Sequence, residues 1–144
     1  MDIEPDHLTL DVEKVESFLK QQCVAKDGAL WNKTSGRKIR GIIPVHLYGH
    51  PVDMYPLLEI AQKHNLFVVE DATEAVGSKY RDKTVGTIGD IGVYSFNGNK
   101  MITTGGGGMV VTQDKLLAEK IQHLTTQAKS PGSEYHHTEI GYNY

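Results

Sequence analysis

A chain of 144 residues, 39% hydrophobic and 23% charged, carries enough apolar material for one globular domain with a real core. Its formal net charge of −3 argues against a nucleic-acid binder held by phosphate neutralisation. Cys23 is the only cysteine, so no internal disulfide can form and nothing points to an oxidising compartment.

The N-terminus, Met1-Asp-Ile-Glu-Pro-Asp-His7, has neither the basic n-region nor the apolar core of a signal peptide. The longest apolar runs, near Ile42-Ile43 and from Leu66 to Val69, are too short to span a membrane and suit buried strands. The expectation is a soluble cytoplasmic protein that binds neither membrane nor nucleic acid.

Asp11 can cap a first helix whose Val12, Val15 and Leu19, with Phe18 beside them, form an apolar stripe. From Lys26 to Arg40 the composition turns polar and glycine-containing, which reads as a loop anchored by Trp31. Gly41 to Leu47 reads as a buried strand. Asp53 then caps a second helix with Met54, Leu57, Leu58 and Ala61 at helical spacing, and Pro56 falls in its first turn, where a missing N–H costs little. A third apolar run, Leu66 to Val69, stops at Glu70-Asp71. This strand–helix–strand order with short links predicts a βαβ unit in a parallel sheet. Further strands are expected at Val93–Phe96 and Met109–Thr112. A last helix from about Asp114 carries Leu117, Ile121, Leu124 and Ala128 on one face.

Strands ending at His46, Asp71 and Ser95 would deliver polar side chains to one sheet edge, where open α/β sheets bind ligands. The turn Asn97-Gly98-Asn99 brings Lys100 to the same place. Lys100 reads either as a surface lysine after a hairpin or as a partly desolvated amine beside Met101 and Ile102, suited to Schiff-base chemistry. Asp71 reads either as a cap for the turn from Ala72 to Val76 or as a partner for a cation such as the pyridinium of pyridoxal 5′-phosphate (PLP). Other motifs carry less. Gly105 to Gly108 opens a strand rather than a helix, against a dinucleotide loop and in favour of close backbone packing beneath a cofactor. Lys100 lacks a P-loop frame. His46 and His50 are separated by Gly49 and followed by Pro51, so no shared helix face and no metal site is expected.

Val69-Glu-Asp-Ala-Thr-Glu-Ala-Val-Gly77, Gly86-Thr-Ile-Gly-Asp90, Tyr94-Ser-Phe-Asn-Gly-Asn-Lys100, Gly105 to Gly108 and Gly141-Tyr-Asn-Tyr144, with Pro44-Val-His-Leu-Tyr-Gly49, resemble the DegT/StrS group. Those proteins are fold-type I PLP-dependent aminotransferases acting on nucleotide-linked keto-sugars. The wording around Lys100 is most similar to a subgroup that aminates C4 of UDP-linked 4-keto-6-deoxy-N-acetylhexosamines for bacillosamine- and legionaminic-acid-type sugars.

The resemblance implies an α/β fold, part of a large PLP-binding domain with a mostly parallel sheet flanked by helices. It makes Lys100 the Schiff-base lysine and acid/base, Asp71 the partner of the pyridinium, and Ser95 a donor to the phosphate. Glu74 matches a position near the ring's phenolic oxygen, where many relatives carry Gln. Asn143 matches an asparagine that reaches the phosphate of a neighbouring subunit, which implies a homodimer with shared sites. A nucleotide-sugar and an amino-acid donor, glutamate, are the implied partners. The family chain is more than twice as long. The resemblance therefore implies a central fragment without the N-terminal phosphate loop, the aromatic that stacks on the ring, or the C-terminal small domain. Such a segment is expected to expose strand edges and to be inactive on its own. A PLP-dependent sugar dehydratase is one rival, opposed by Lys100 because those relatives carry histidine there. A non-catalytic subunit or scaffold, or a nucleotide-binding module without PLP, is the other.

Overall fold

A computed structural model describes residues 2–132 and 136–142. The chain divides into two units, one through Val111 and one from Thr112 onward.

The first unit begins with α1 (Val12–Gln22). The Asp11 carboxylate accepts the Lys14 N–H at 3.0 Å, which satisfies one of the free donors at the helix start. Val15 and Leu19, one turn apart, are buried. Residues 26–40 are not a plain loop. They carry β2 (Ala29–Asn32) and β3 (Lys38–Ile39), which join β1 (Cys23–Lys26) in a three-stranded antiparallel sheet. The β1–β2 hairpin turns at Asp27-Gly28, both with positive φ (52° and 69°), the geometry that matches the twist of the flanking strands. Trp31 does anchor this segment: its indole N–H donates to the Lys26 carbonyl at 3.1 Å.

The expected strand from Gly41 to Leu47 is broken at Ile43-Pro44. β4 (Gly41–Ile42) ends early, and Val45 resumes as a single bridge to Asp71. A 3₁₀ turn, Leu47–Gly49, follows. Next comes α2 (Met54–His64), which buries Met54, Leu57, Ile60 and Ala61. Asp53 sits at its N-cap position without capping it, because its carboxylate takes the Tyr80 hydroxyl instead. Asn65 closes the helix in the left-handed conformation, as an asparagine can.

β5 (Phe67–Asp71), the small hairpin β6 (Lys79–Tyr80) and β7 (Lys83–Thr84), β8 (Ile91–Ser95) and β9 (Gly108–Val111) complete this unit. The central sheet runs β4-β5-β8-β9. β4, β5 and β8 are parallel and β9 is antiparallel, so the fold is mixed α/β rather than mostly parallel throughout. Burial alternates cleanly along β5 and β8. Val68, Glu70, Gly92 and Tyr94 face inward, whereas Phe67, Val69, Asp71, Ile91, Val93 and Ser95 face the other way. The outward side is bare at one end, with Ile43 65% and Phe67 61% exposed.

In the second unit α3 (Lys115–Thr125) starts at Asp114, whose carboxylate accepts the Leu116 and Leu117 N–H groups at 2.8 and 3.1 Å. Ala128 lies beyond the helix end rather than on its face, with φ 51°. Among the described residues no helix is long and apolar enough to cross a membrane.

Candidate active site at the ends of β5 and β8

Asp71 ends β5 and Ser95 ends β8. The strands are parallel neighbours in the register Asp71↔Val93, so Asp71 and Ser95 share the outward face. The Asp71 backbone is held twice by the segment beside it: its N–H donates to the Pro44 carbonyl at 2.9 Å and its carbonyl accepts the His46 N–H at 3.0 Å. Its Oδ1 accepts the Thr73 N–H at 3.1 Å, the turn cap anticipated from sequence. Among the described residues Oδ2 has no hydrogen-bond partner, so the carboxylate can cap the turn and meet a cation at once.

Three residues on, Glu74 joins two segments. Its Oε2 accepts the Tyr48 N–H at 3.0 Å, and its Oε1 lies 3.5 Å from Lys100 Nζ. The Lys100 side chain is 18% exposed and that of Glu74 33%. The shelter of Lys100 does not come from its apolar neighbours as expected, for Met101 and Ile102 project into solvent. Tyr48 can donate to Glu74 because it adopts a positive φ of 51° inside the 3₁₀ turn.

Lys100 is placed by a tight turn in which its N–H donates to the Asn97 carbonyl at 3.0 Å. Phe96 closes the loop behind it, donating to Gly107 and accepting from Thr104, both at 3.0 Å. Ser95 Oγ accepts the Asn97 N–H at 3.3 Å, which leaves its own proton available to an acceptor. Within the glycine run, close packing is confined to Gly108, where a Cβ would lie 2.8 Å from the Tyr94 carbonyl oxygen. Asn143 lies outside the described residues.

His46 is not at the edge. It is fully buried, with Nε2 3.0 Å from Glu70 Oε2 and Nδ1 accepting the Val52 N–H at 3.1 Å. An Nδ1 that accepts leaves the proton on Nε2, which donates to Glu70. His50 instead stacks on His7, with ring centroids 4.0 Å apart.

Glu70 went unread in the sequence. Its carboxylate accepts the N–H groups of Gly86 at 2.7 Å and of Ile88 and Gly89 at 2.6 Å, besides the imidazole. Burial pushes the carboxyl up, but the His46 donor and the Gly89, Gly86 and Ile88 amides outweigh it and hold the group below its ordinary value. The available clue was the period-two alternation of β5, which sends Glu70 to the same side as Val68.

Asp71 and Ser95 end adjacent parallel strands, and Lys100 is tied to Glu74, three residues beyond Asp71; an acid, a hydroxyl and a primary amine are groups whose chemistry fits PLP. Such a set is compatible with the aminotransferase class. The chain is a member of the DegT/DnrJ/EryC1/StrS aminotransferase family, whose profile matches residues 1–144.

It is 55% identical to the GDP-perosamine synthase of Escherichia coli O157:H7 over 107 residues, covering 74% of this chain and 29% of that one. With the GDP-perosamine synthase of Caulobacter vibrioides it shares 42% identity over 144 residues, all of this chain and 34% of that one. A DegT DnrJ EryC1 StrS aminotransferase from Brucella abortus superimposes with a TM-score of 0.85 at 28% identity, over 99% of this chain and 36% of that one. Helicobacter pylori PseC, an aminotransferase involved in the biosynthesis of pseudoaminic acid, gives 0.80 at 26% identity, over 100% and 35%. The chain thus spans about a third of the length of its relatives.

Proposed function

We propose that the protein transfers an amino group from an amino acid, glutamate, to the keto carbon of a nucleotide-linked sugar in cytoplasmic synthesis of surface-glycan amino sugars. The observation that supports this reading is the Lys100–Glu74 ion pair, which joins the loops that follow two adjacent parallel strands, the first of them ending at Asp71. PLP, when bound, supplies the electron sink that lets an amine leave one carbon and join another.

The chain's own residues do the rest. Asp71 Oδ2 would accept the N–H of a protonated ring nitrogen, because an acid beside a cation stays ionised. Lys100 would hold the cofactor's carbonyl carbon in the absence of substrate and, once displaced from it by the substrate amine, would take and return the proton at the reacting carbon. Glu74, paired with Lys100, would keep the lysine side chain aimed into the site and stand near the ring's phenolic oxygen. Ser95 would donate its hydroxyl to the phosphate, and Asn143 of a neighbouring subunit in a homodimer would donate its side-chain amide N–H.

The finer reading takes a UDP-linked 4-keto-6-deoxy-N-acetylhexosamine as acceptor, on the wording around Lys100. The 55% identity to a GDP-perosamine synthase favours a GDP-linked keto-sugar as the second reading. In the test, one sample of the full-length protein is loaded with PLP, reduced with borohydride and digested to locate the label, and a second, unreduced sample loaded with PLP is assayed with glutamate against UDP- and GDP-linked keto-sugars. Label on Lys100 and amination of one acceptor are expected. No label on Lys100 overturns the reading, and the preferred acceptor decides between the nucleotides.

A further inference from the structure

Glu70 and Asp71 are consecutive residues on opposite faces of β5. Asp71 belongs to the proposed site, whereas the Glu70 carboxylate gathers four donors from two loops and is fully buried. The loop from Val85 to Asp90 is pressed against the sheet around it. The Tyr94 hydroxyl donates to the Val85 carbonyl at 2.6 Å. Asp90 closes the other end: its N–H donates to the Val68 carbonyl at 2.9 Å, and its Oδ2 accepts the Val68 N–H at 2.7 Å. Gly92 lies directly over Gly86, where any Cβ would overlap the Gly86 carbonyl oxygen. His46 extends the same network to Val52, ahead of α2.

A buried carboxylate is a poor way to gain stability, because a packed apolar side chain of similar size holds a core at lower desolvation cost. What four convergent donors provide is a single position. A side chain pinned through both oxygens prevents the strand end from rotating or slipping, and a slip of one residue would turn Asp71 away from the site.

We propose that Glu70 is a positioning residue of the amine-transfer site: its carboxylate, clamped by His46 and by the Gly86, Ile88 and Gly89 amides, fixes the end of β5. Asp71 and the turn bearing Glu74 are thereby held in register with Lys100. This inference rests on the reading given under Proposed function.

The test uses the full-length protein loaded with PLP, as wild type, Glu70→Gln, His46→Gln and His46→Ala. Glutamine at position 70 turns one acceptor into a donor that faces the N–H groups. Glutamine at position 46 can still offer an N–H to Glu70. Expected for Glu70→Gln is a kcat about ten- to a hundredfold lower per bound cofactor, with the keto-sugar KM within about threefold, the range reached when a reacting group is slightly misplaced. The visible circular-dichroism band of the bound cofactor changes as well, and the amides of Gly86, Ile88 and Gly89 exchange faster. His46→Ala follows Glu70→Gln, and His46→Gln restores the band and most of the rate. Should Glu70→Gln fail to fold, the two His46 variants carry the same comparison. No label on Lys100 of the wild type overturns the functional reading and this inference together. A labelled wild type with folded variants whose band and rate per bound cofactor are unchanged overturns this inference alone.

Discussion

Lys100 Nζ and Glu74 Oε1 lie 3.5 Å apart, joining a lysine five residues beyond β8 to an acid three residues beyond β5. The two loops that follow neighbouring parallel strands are therefore tied to each other by one partly exposed ion pair. Lys100→Ala is expected to abolish borohydride-fixed cofactor and to lower turnover of the full-length protein at least about a hundredfold. Glu74→Gln keeps an acceptor for the Tyr48 N–H and loses only a partly solvated charge, so turnover falls less than about tenfold. Reduction, peptide mapping and steady-state rates check both.

Asp71→Asn separates the two tasks of that side chain. The amide oxygen still accepts the Thr73 N–H, so the urea midpoint of the full-length protein should move little. Loss of a charge-assisted bond to the ring nitrogen should weaken PLP binding about ten- to a hundredfold, measured by absorbance titration. Equal PLP affinity in the two proteins would remove Asp71 from the site.

Two glycines make a contrast in physical cause. At Gly92 an added methyl has no room against the Gly86 carbonyl, so Gly92→Ala should cost about 3 kcal/mol or more and disturb the loop under the sheet. At Gly28 nothing lies within 4 Å and only the positive φ of 69° opposes a side chain, so Gly28→Ala should cost about 1 kcal/mol. Urea denaturation of the two full-length variants gives the comparison.

The Glu70 carboxyl also sets an acid limit. Its folded value is held below the ordinary one, so the folded protein resists protonation that the unfolded chain accepts in the ordinary carboxylate range. The stabilisation is fully present above that range and is lost as pH falls through the lower folded value. Urea midpoints of wild type between pH 7 and 3 should drop in that acid range, and a folded Glu70→Gln protein should show a shallower drop.

The sequence was readable where one local rule acted without competition. Asp11 and Asp114 cap their helices because each stands directly before an apolar-periodic run, and their carboxylates reach the first free N–H groups. Asp53 occupies the same kind of position, yet Tyr80, 27 residues away, takes its carboxylate, a competition no local pattern displays. The strand through residues 41–47 read as continuous because its residues are apolar, although Pro44 can give no ladder N–H. The Asp27-Gly28 hairpin was a missed local sign, hidden by the polar residues around it. In the candidate site, Asp71, Glu74, Ser95 and Lys100 were proposed from motifs, and the strand order supplied the shared face for Asp71 and Ser95. Glu70 and His46 were hard to find because a buried polar pair 24 residues apart exists only through tertiary packing.

The pleat of β5 has an evolutionary corollary. Two acids adjacent in the chain lie under different constraints, one set by the interior and the other, on the proposed reading, by the chemistry, and the first holds the second in place. Deleting a single residue upstream within the strand would exchange their assignments, so this short segment should tolerate a change in its length even less than a replacement.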